Sequence, residues 1–517
     1  MKEKIEQYPV IDYPWIPDVG GGIYRNPILC ADYSDPDIVR VGEDYWLTAS
    51  SFNCTPALPI LHSRDLVNWT LVNHAVKNLP HPRFAQVQPG CGVWAPAIRY
   101  HAGRFWIFFP MPDEGIYMTT ATDPAGAWST PHLVQEGKGL IDPCPLWDDD
   151  GCAYLVHAYA RSRAGMADKL HIRPMSPDGR DLIGPGTIIV DDPVRHPTIE
   201  GPKFLKRDGW YYVLAPAGGV EKGYQVALRS RNIMGPYEDK VVLETGATPV
   251  NGPHQGGLVD TPGGQWWFIH FQDAGFCGRI VHLQPVSWRD DWPMMGIDHD
   301  QNGIGEPVLR HPKPDVARQD TAIPQTSDEF DSPALGLQWQ WYANHRDDWY
   351  SLTERPGVLR LFAQPLREGL LRQPNLLLQK LPTRSFAVQA AVSLETAGEG
   401  TQAGLVMMGM EHAAVVIRRS PAGYQLVQIV NDRDVFFQRL PCPRAILRVE
   451  VSDDGLCTFS YSLDGGELVR LKREFQAQKG KWIGAKVGVF CTGSSAGHAD
   501  VEYFRFIGDP VATGSVS

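Results

Sequence analysis

The sequence has no run approaching the ~20 consecutive apolar residues that a membrane-spanning helix needs. It has no excess of positive charge either: 48 Lys+Arg stand against 59 Asp+Glu, a formal net charge of −11. Nucleic acids and acidic membrane surfaces are bound through basic faces, so neither is expected as a partner. The opening stretch, MKEKIEQYPVIDYPW, has no apolar core and no small-residue cleavage pattern, and no secretory signal is read there. Nine cysteines are odd in number, scattered and without a CxxC pair. That argues against a disulfide framework or zinc site and fits reduced thiols, so the expected compartment is the cytoplasm. No P-loop, HExxH, GxSxG or dinucleotide fingerprint occurs in a supporting context. Helix-period segments are scarce, and the strand–helix alternation of a parallel sheet is absent.

Turn formers and aromatics are plentiful: Gly 51, Pro 43, Trp 16, Tyr 18 and Phe 19. From about residue 25 to 310 they fall into five loosely similar units, each offering about four short strands. In every unit a polar turn (GED, HAG, DDDG, KRDG, TPGG) precedes an aromatic-rich strand, as in VGEDYWLTAS and KRDGWYYVLA. Five such repeats suit radial arrangement, and a five-bladed β-propeller is expected over an antiparallel sandwich or barrel.

Three acids recur in one local setting, each followed by Pro or Gly-Pro: Asp35 in YSDPDI, Asp142 in LIDPCP and Glu200 in TIEGPKF. Taken singly, an Asp before Pro is a turn former. Taken as a trio at equivalent repeat positions, they can converge on the propeller axis, and converging carboxylates are the equipment of glycoside hydrolysis. Asp148, Asp149 and Asp150 read as a hairpin turn without chemistry. Aromatic faces suit sugar rings. Trp94 in GVWAP and Phe52 in SSF are candidates for such contact, whereas mid-strand Trp46 is assigned to packing.

Residues 311–327, HPKPDVARQDTAIPQTS, read as a linker. Beyond it, runs such as ILRVEVS and CTFSYSL alternate with period two and turns such as LDGGE intervene, the pattern of a two-sheet antiparallel sandwich. The expected domains are 1–315 (propeller, catalytic) and 325–517 (sandwich), an all-β chain.

The ordered motifs NPILCADYSDPDIVRVGEDYWLTASSF, ILHSRDLVNW, GVWAP, IDPCP and TIEGPK resemble glycoside hydrolase family 43, a family of five-bladed propellers that includes β-xylosidases and α-L-arabinofuranosidases. The segment from FDSPALGLQWQW is similar to the lectin-like (concanavalin-like) β-sandwich appended to many of its β-xylosidases. The resemblance implies Asp35 as general base, Glu200 as general acid and Asp142 as the carboxylate that orients the acid and adjusts its pKa, keeping Glu200 protonated. It implies that Arg279 in FCGRIVHLQ binds sugar hydroxyls and that His254 in GPHQGG lies near the axis, beside a structural calcium or a water cluster. The reaction needs no cofactor. The expected activity is inverting, exo-acting release of a terminal pentose, β-1,4-xylose, from plant cell-wall oligosaccharides. An α-L-arabinofuranosidase or bifunctional enzyme is the alternative, and a noncatalytic sugar-binding propeller is the rival of another class. The partner is a small oligosaccharide, and a homo-oligomer is left open.

Overall fold

The computed structural model describes residues 15–396, 398–463, 465–493 and 497–507. The reading of the N-terminus as lacking a secretory signal falls almost wholly outside them. Five four-stranded antiparallel sheets follow one another, each built from consecutive strands. Blade 1 comprises Asp37–Val41, Asp44–Thr48, Ala57–Ser63 and Thr70–Val76. Blade 2 runs from Ala97–His101 to His132–Glu136, blade 3 from Leu140–Trp147 to Thr187–Asp191, blade 4 from Lys203–Arg207 to Glu238–Leu243, and blade 5 from His254–Asp260 to Trp292–Met295. The polar turns set the first hairpin of each blade. In blade 2, Ala102 and Gly103 both take left-handed backbone (φ 49° and 75°), matching the strand twist while His101 pairs with Arg104.

Alternating apolar residues face the neighbouring blade rather than a common centre. Val76 of blade 1 shares a cluster with Phe105 of blade 2, and Phe108 of blade 2 with Leu155 of blade 3. Ile172 of blade 3 shares a cluster with Val213 of blade 4, Leu243 of blade 4 with Phe268 of blade 5, and Leu283 of blade 5 with Leu47 of blade 1. Burying one such side chain stabilises by about 1.5–3 kcal/mol, so every blade depends on its neighbours. The ring closes through the segment before blade 1: Leu29 pairs with Val281 of blade 5, and Ile23–Arg25 pairs with Arg310–Pro312. On the axis, Asp37 Oδ2 accepts hydrogen bonds from Arg99 Nη1 (2.6 Å) and Ile98 N (2.8 Å), while Lys203 Nζ lies 4.0 Å away.

The expected linker is packed rather than free. Lys313 pairs with Asp18 and Asp65 of the propeller, and Trp69 N donates to Ala322 O at 3.1 Å. The following domain is a sandwich of a seven-stranded and an eight-stranded antiparallel sheet. Its first strand, Gln340–Trp341, lies against blade 1: Thr55 and Trp341 exchange both backbone hydrogen bonds (3.0 and 2.6 Å). Asn53 Nδ2 and Thr55 Oγ1 donate to the Tyr342 and Ala343 carbonyls, and Phe52, Cys54 and Val87 share a core with Tyr342, Val406 and Phe490.

Candidate active site

Asp35 lies two residues before the first strand of blade 1, in left-handed backbone (φ 54°), a conformation Asp tolerates better than most residues. Its buried carboxylate accepts from Ser34 Oγ (2.7 Å) and Ser50 Oγ (2.6 Å) at Oδ2 and from Arg279 Nη1 (2.8 Å) at Oδ1. Arg279 Nη1 also donates to Ser34 Oγ at 2.8 Å. Asp142 repeats the left-handed backbone (φ 56°) but sits inside the first strand of blade 3, where the register slips between Ile141 and Cys144. The slip is what turns its side chain to the site. Asp142 Oδ2 accepts from Gly201 N (2.8 Å), tying it to the residue after Glu200.

Burial, the nearby Glu200 carboxylate and, less strongly, Asp35 push the Asp142 carboxyl up to about 8. The shift falls on Asp142, the buried member of the pair. The cause is desolvation, which the sequence does not display. The Glu200 side chain is 34% exposed, and its Oε1 lies 3.0 Å from His254 Nε2.

His254 is buried at the start of blade 5 and packs on Phe271 with ring centroids 5.3 Å apart. Its Nδ1 has no partner. Calcium takes six to eight oxygen ligands, and a single imidazole whose other nitrogen faces Glu200 does not fit direct ligation. Among the described residues, the grouping of three metal-capable side chains is Glu395, His498 and Asp500 in the sandwich. There both Asp500 oxygens are already held by Arg360, with Arg355 adding a third contact.

The three acids, Arg279, Phe52 and Trp94 line one pocket of about 360 Å³, within the range of small-molecule sites (~300–1,000 Å³). Phe52 is buried in its wall, fixed by a backbone pair with Val93, and its ring lies 6.2 Å from that of Trp94. Trp46 instead packs on His62 and Phe105, as its mid-strand position suggests.

The sequence model of Glycosyl hydrolases family 43 matches residues 24–293, over half of the chain. The chain belongs to this family. A second model, the beta xylosidase C-terminal concanavalin A-like domain, matches residues 327–507. A putative beta-xylosidase of Xylanibacter ruminicola is 40% identical over 92% of this chain and 87% of its own length. A non-reducing end alpha-L-arabinofuranosidase of Bacteroides ovatus is 30% identical over 74% of this chain and 73% of its own. The crystal structure of the GH43 protein BlXynB from Bacillus licheniformis superposes with a TM-score of 0.82 at 26% identity, covering 94% of this chain and all of that one. The protein is thus a glycosidase acting on carbohydrate.

In this family 43 enzyme the pocket has members that the sequence reading did not single out. Trp482 comes from the sandwich, 44% exposed and in left-handed backbone (φ 69°), its ring 6.4 Å from Trp94. Tyr159, Arg161 and Gln255 also line the pocket, and Gln255 Nε2 is a buried donor without a protein partner. Gln255 stands beside His254 in GPHQGG and Tyr159 in the aromatic strand after DDDG, but neither stretch marks them as pocket residues, and Trp482 lies in another domain.

Proposed function

We propose that this enzyme removes single terminal pentoses, β-1,4-linked xylose first, from short plant cell-wall oligosaccharides, with inversion. The observation that carries the reading is the position of Trp482. The sandwich closes one side of a small pocket in which the three carboxyls meet, so a chain end fits and a running chain does not. Relatives named beta-xylosidase and the sandwich itself favour xylose. Arabinofuranose is the second reading, favoured by the Bacteroides ovatus relative.

In the proposed step Asp35 accepts a proton from water while the water oxygen bonds to the anomeric carbon. Arg279, Ser34 and Ser50 all donate to Asp35 and so fix its orientation. The glycosidic C–O bond breaks as the leaving oxygen takes a proton from Glu200. The Asp142/Glu200 pair holds one proton near neutral pH, and Glu200 is the member that reaches the sugar. Afterwards Asp35 sheds its proton and the pair regains one from solvent. No cofactor enters, and the expected partner is the oligosaccharide, in the cytoplasm.

Xylobiose and aryl pentosides test the roles. Asp35→Ala is expected to abolish turnover of both. Glu200→Gln is expected to abolish xylobiose hydrolysis while sparing substrates whose activated leaving group needs little protonation. NMR of the first product from an aryl β-xyloside is expected to show α-xylose; initial β-xylose would reject inversion.

A further inference from the structure

Three residues before Asp35, a second carboxylate is buried outright. Asp32 is 2% exposed, and nothing in the hydrolytic step uses it. Each of its oxygens takes a backbone N–H from a different domain. Oδ1 accepts from Arg279 N of blade 5 (2.9 Å), and Oδ2 accepts from Gly484 N of the sandwich (3.0 Å). Its own carbonyl accepts from Lys380 Nζ of the sandwich (2.6 Å).

The segments so joined are in backbone contact. A Cβ on Gly278 would lie 2.6 Å from Asp32 Oδ1, and one on Gly484 would lie 2.5 Å from the Cys277 carbonyl oxygen. Ala485 N donates to Phe276 O at 2.7 Å. Blade 5's turn before Arg279 is therefore gripped between Asp32 and the sandwich loop. One end of that grip carries Arg279, whose guanidinium holds Asp35. The other carries Trp482, two residues before Gly484, which closes the pocket.

We infer that Asp32 is a positioning residue for hydrolysis: its carboxylate locks the seat of the sandwich to the backbone of Arg279, and so sets the base and the pocket wall together. The inference rests on the reading of Asp35 as the base. A carboxylate suits the task because both oxygens accept. Asparagine keeps one acceptor and turns an NH₂ toward the other N–H, so the junction must open at one side. A displacement near 1 Å at a reacting group costs about 100-fold in rate.

The test is Asp32→Asn in the full chain, with kcat and KM on xylobiose and a double-mutant cycle against Arg279→Ala. A fall in kcat of about 100-fold is expected, with native circular dichroism. The double variant should lose less than the product of the two single losses, because both changes displace the Arg279–Asp35 contact. A merely structural role would give additive losses. Gly484→Ala, which pushes the sandwich side of the junction away from Asp32 while keeping the carboxylate, is the second variant and should lower kcat in the same direction. Wild-type kcat in folded Asp32→Asn, or additivity in the cycle, overturns the inference while the Asp35→Ala result leaves the base assignment standing. Should Asp32→Asn fail to fold, wild-type kcat in Gly484→Ala overturns it. Full xylobiose turnover by Asp35→Ala overturns both readings together.

Discussion

Asp142 shows what a catalytic arrangement asks of a single residue. Its ordinary value is 3.8, and in the folded protein its carboxyl is pushed up to about 8 by burial first and Glu200 second. Below pH ~4 the group is protonated in folded and unfolded chain alike, and it favours neither. Between ~4 and 8 the unfolded chain ionises and the folded protein does not, so stability falls as pH rises through this window. The loss is on the order of a few kcal/mol. Asp142→Asn removes the titration and keeps an acceptor for Gly201 N. Its melting temperature relative to the wild type is therefore expected to rise from pH 4 to pH 8; a difference that is flat with pH in paired thermal melts would contradict the burial argument. Catalysis should move oppositely, with xylobiose turnover lost, since the amide carries no proton for the pair to share.

The first strands of the blades and the short segments before them place the acids, and these segments are braced by neighbours. The rim helix Arg161–Ala164 of blade 3 is followed by Asp168, buried and in left-handed backbone (φ 63°). Asp168 accepts from Arg161 Nη2 (2.6 Å) and from Thr198 N (2.5 Å), two residues before Glu200. Asp168→Ala leaves that backbone N–H without its acceptor, a cost of about 1–3 kcal/mol for a buried donor. The expected result is a melting temperature a few degrees lower and about tenfold lower kcat/KM on xylobiose. The polar turns and aromatic strands of these blades were legible because strand period and turn chemistry are local. The brace was not: Asp168 follows no repeat, and its partner is thirty residues on. The convergence of the three acids was legible from their shared setting. The strand slip at Asp142 was not, because a bulge depends on which strand lies opposite.

At the scale of the whole molecule, propeller and sandwich share an apolar core at their junction, and the sandwich supplies Trp482 to the pocket. Trp482→Ala should fold normally and weaken xylobiose binding, seen as a rise in KM larger than any fall in kcat. A chain ending near residue 326 should expose Phe52, Cys54 and Val87 and fail to accumulate as soluble protein; a soluble truncation with unchanged kinetics would refute the shared core. The sequence by itself determined the all-β class, the five units, the sandwich and the three acids, because alternation, turn residues and repeated motifs are written in neighbouring positions. Tertiary structure alone decided that Asp142 is buried and raised, that His254 faces Glu200, and that Trp482 reaches a site built by another domain. Those outcomes follow from burial and from contacts between distant segments, and neither desolvation nor a long-range neighbour is a property of any local stretch of chain.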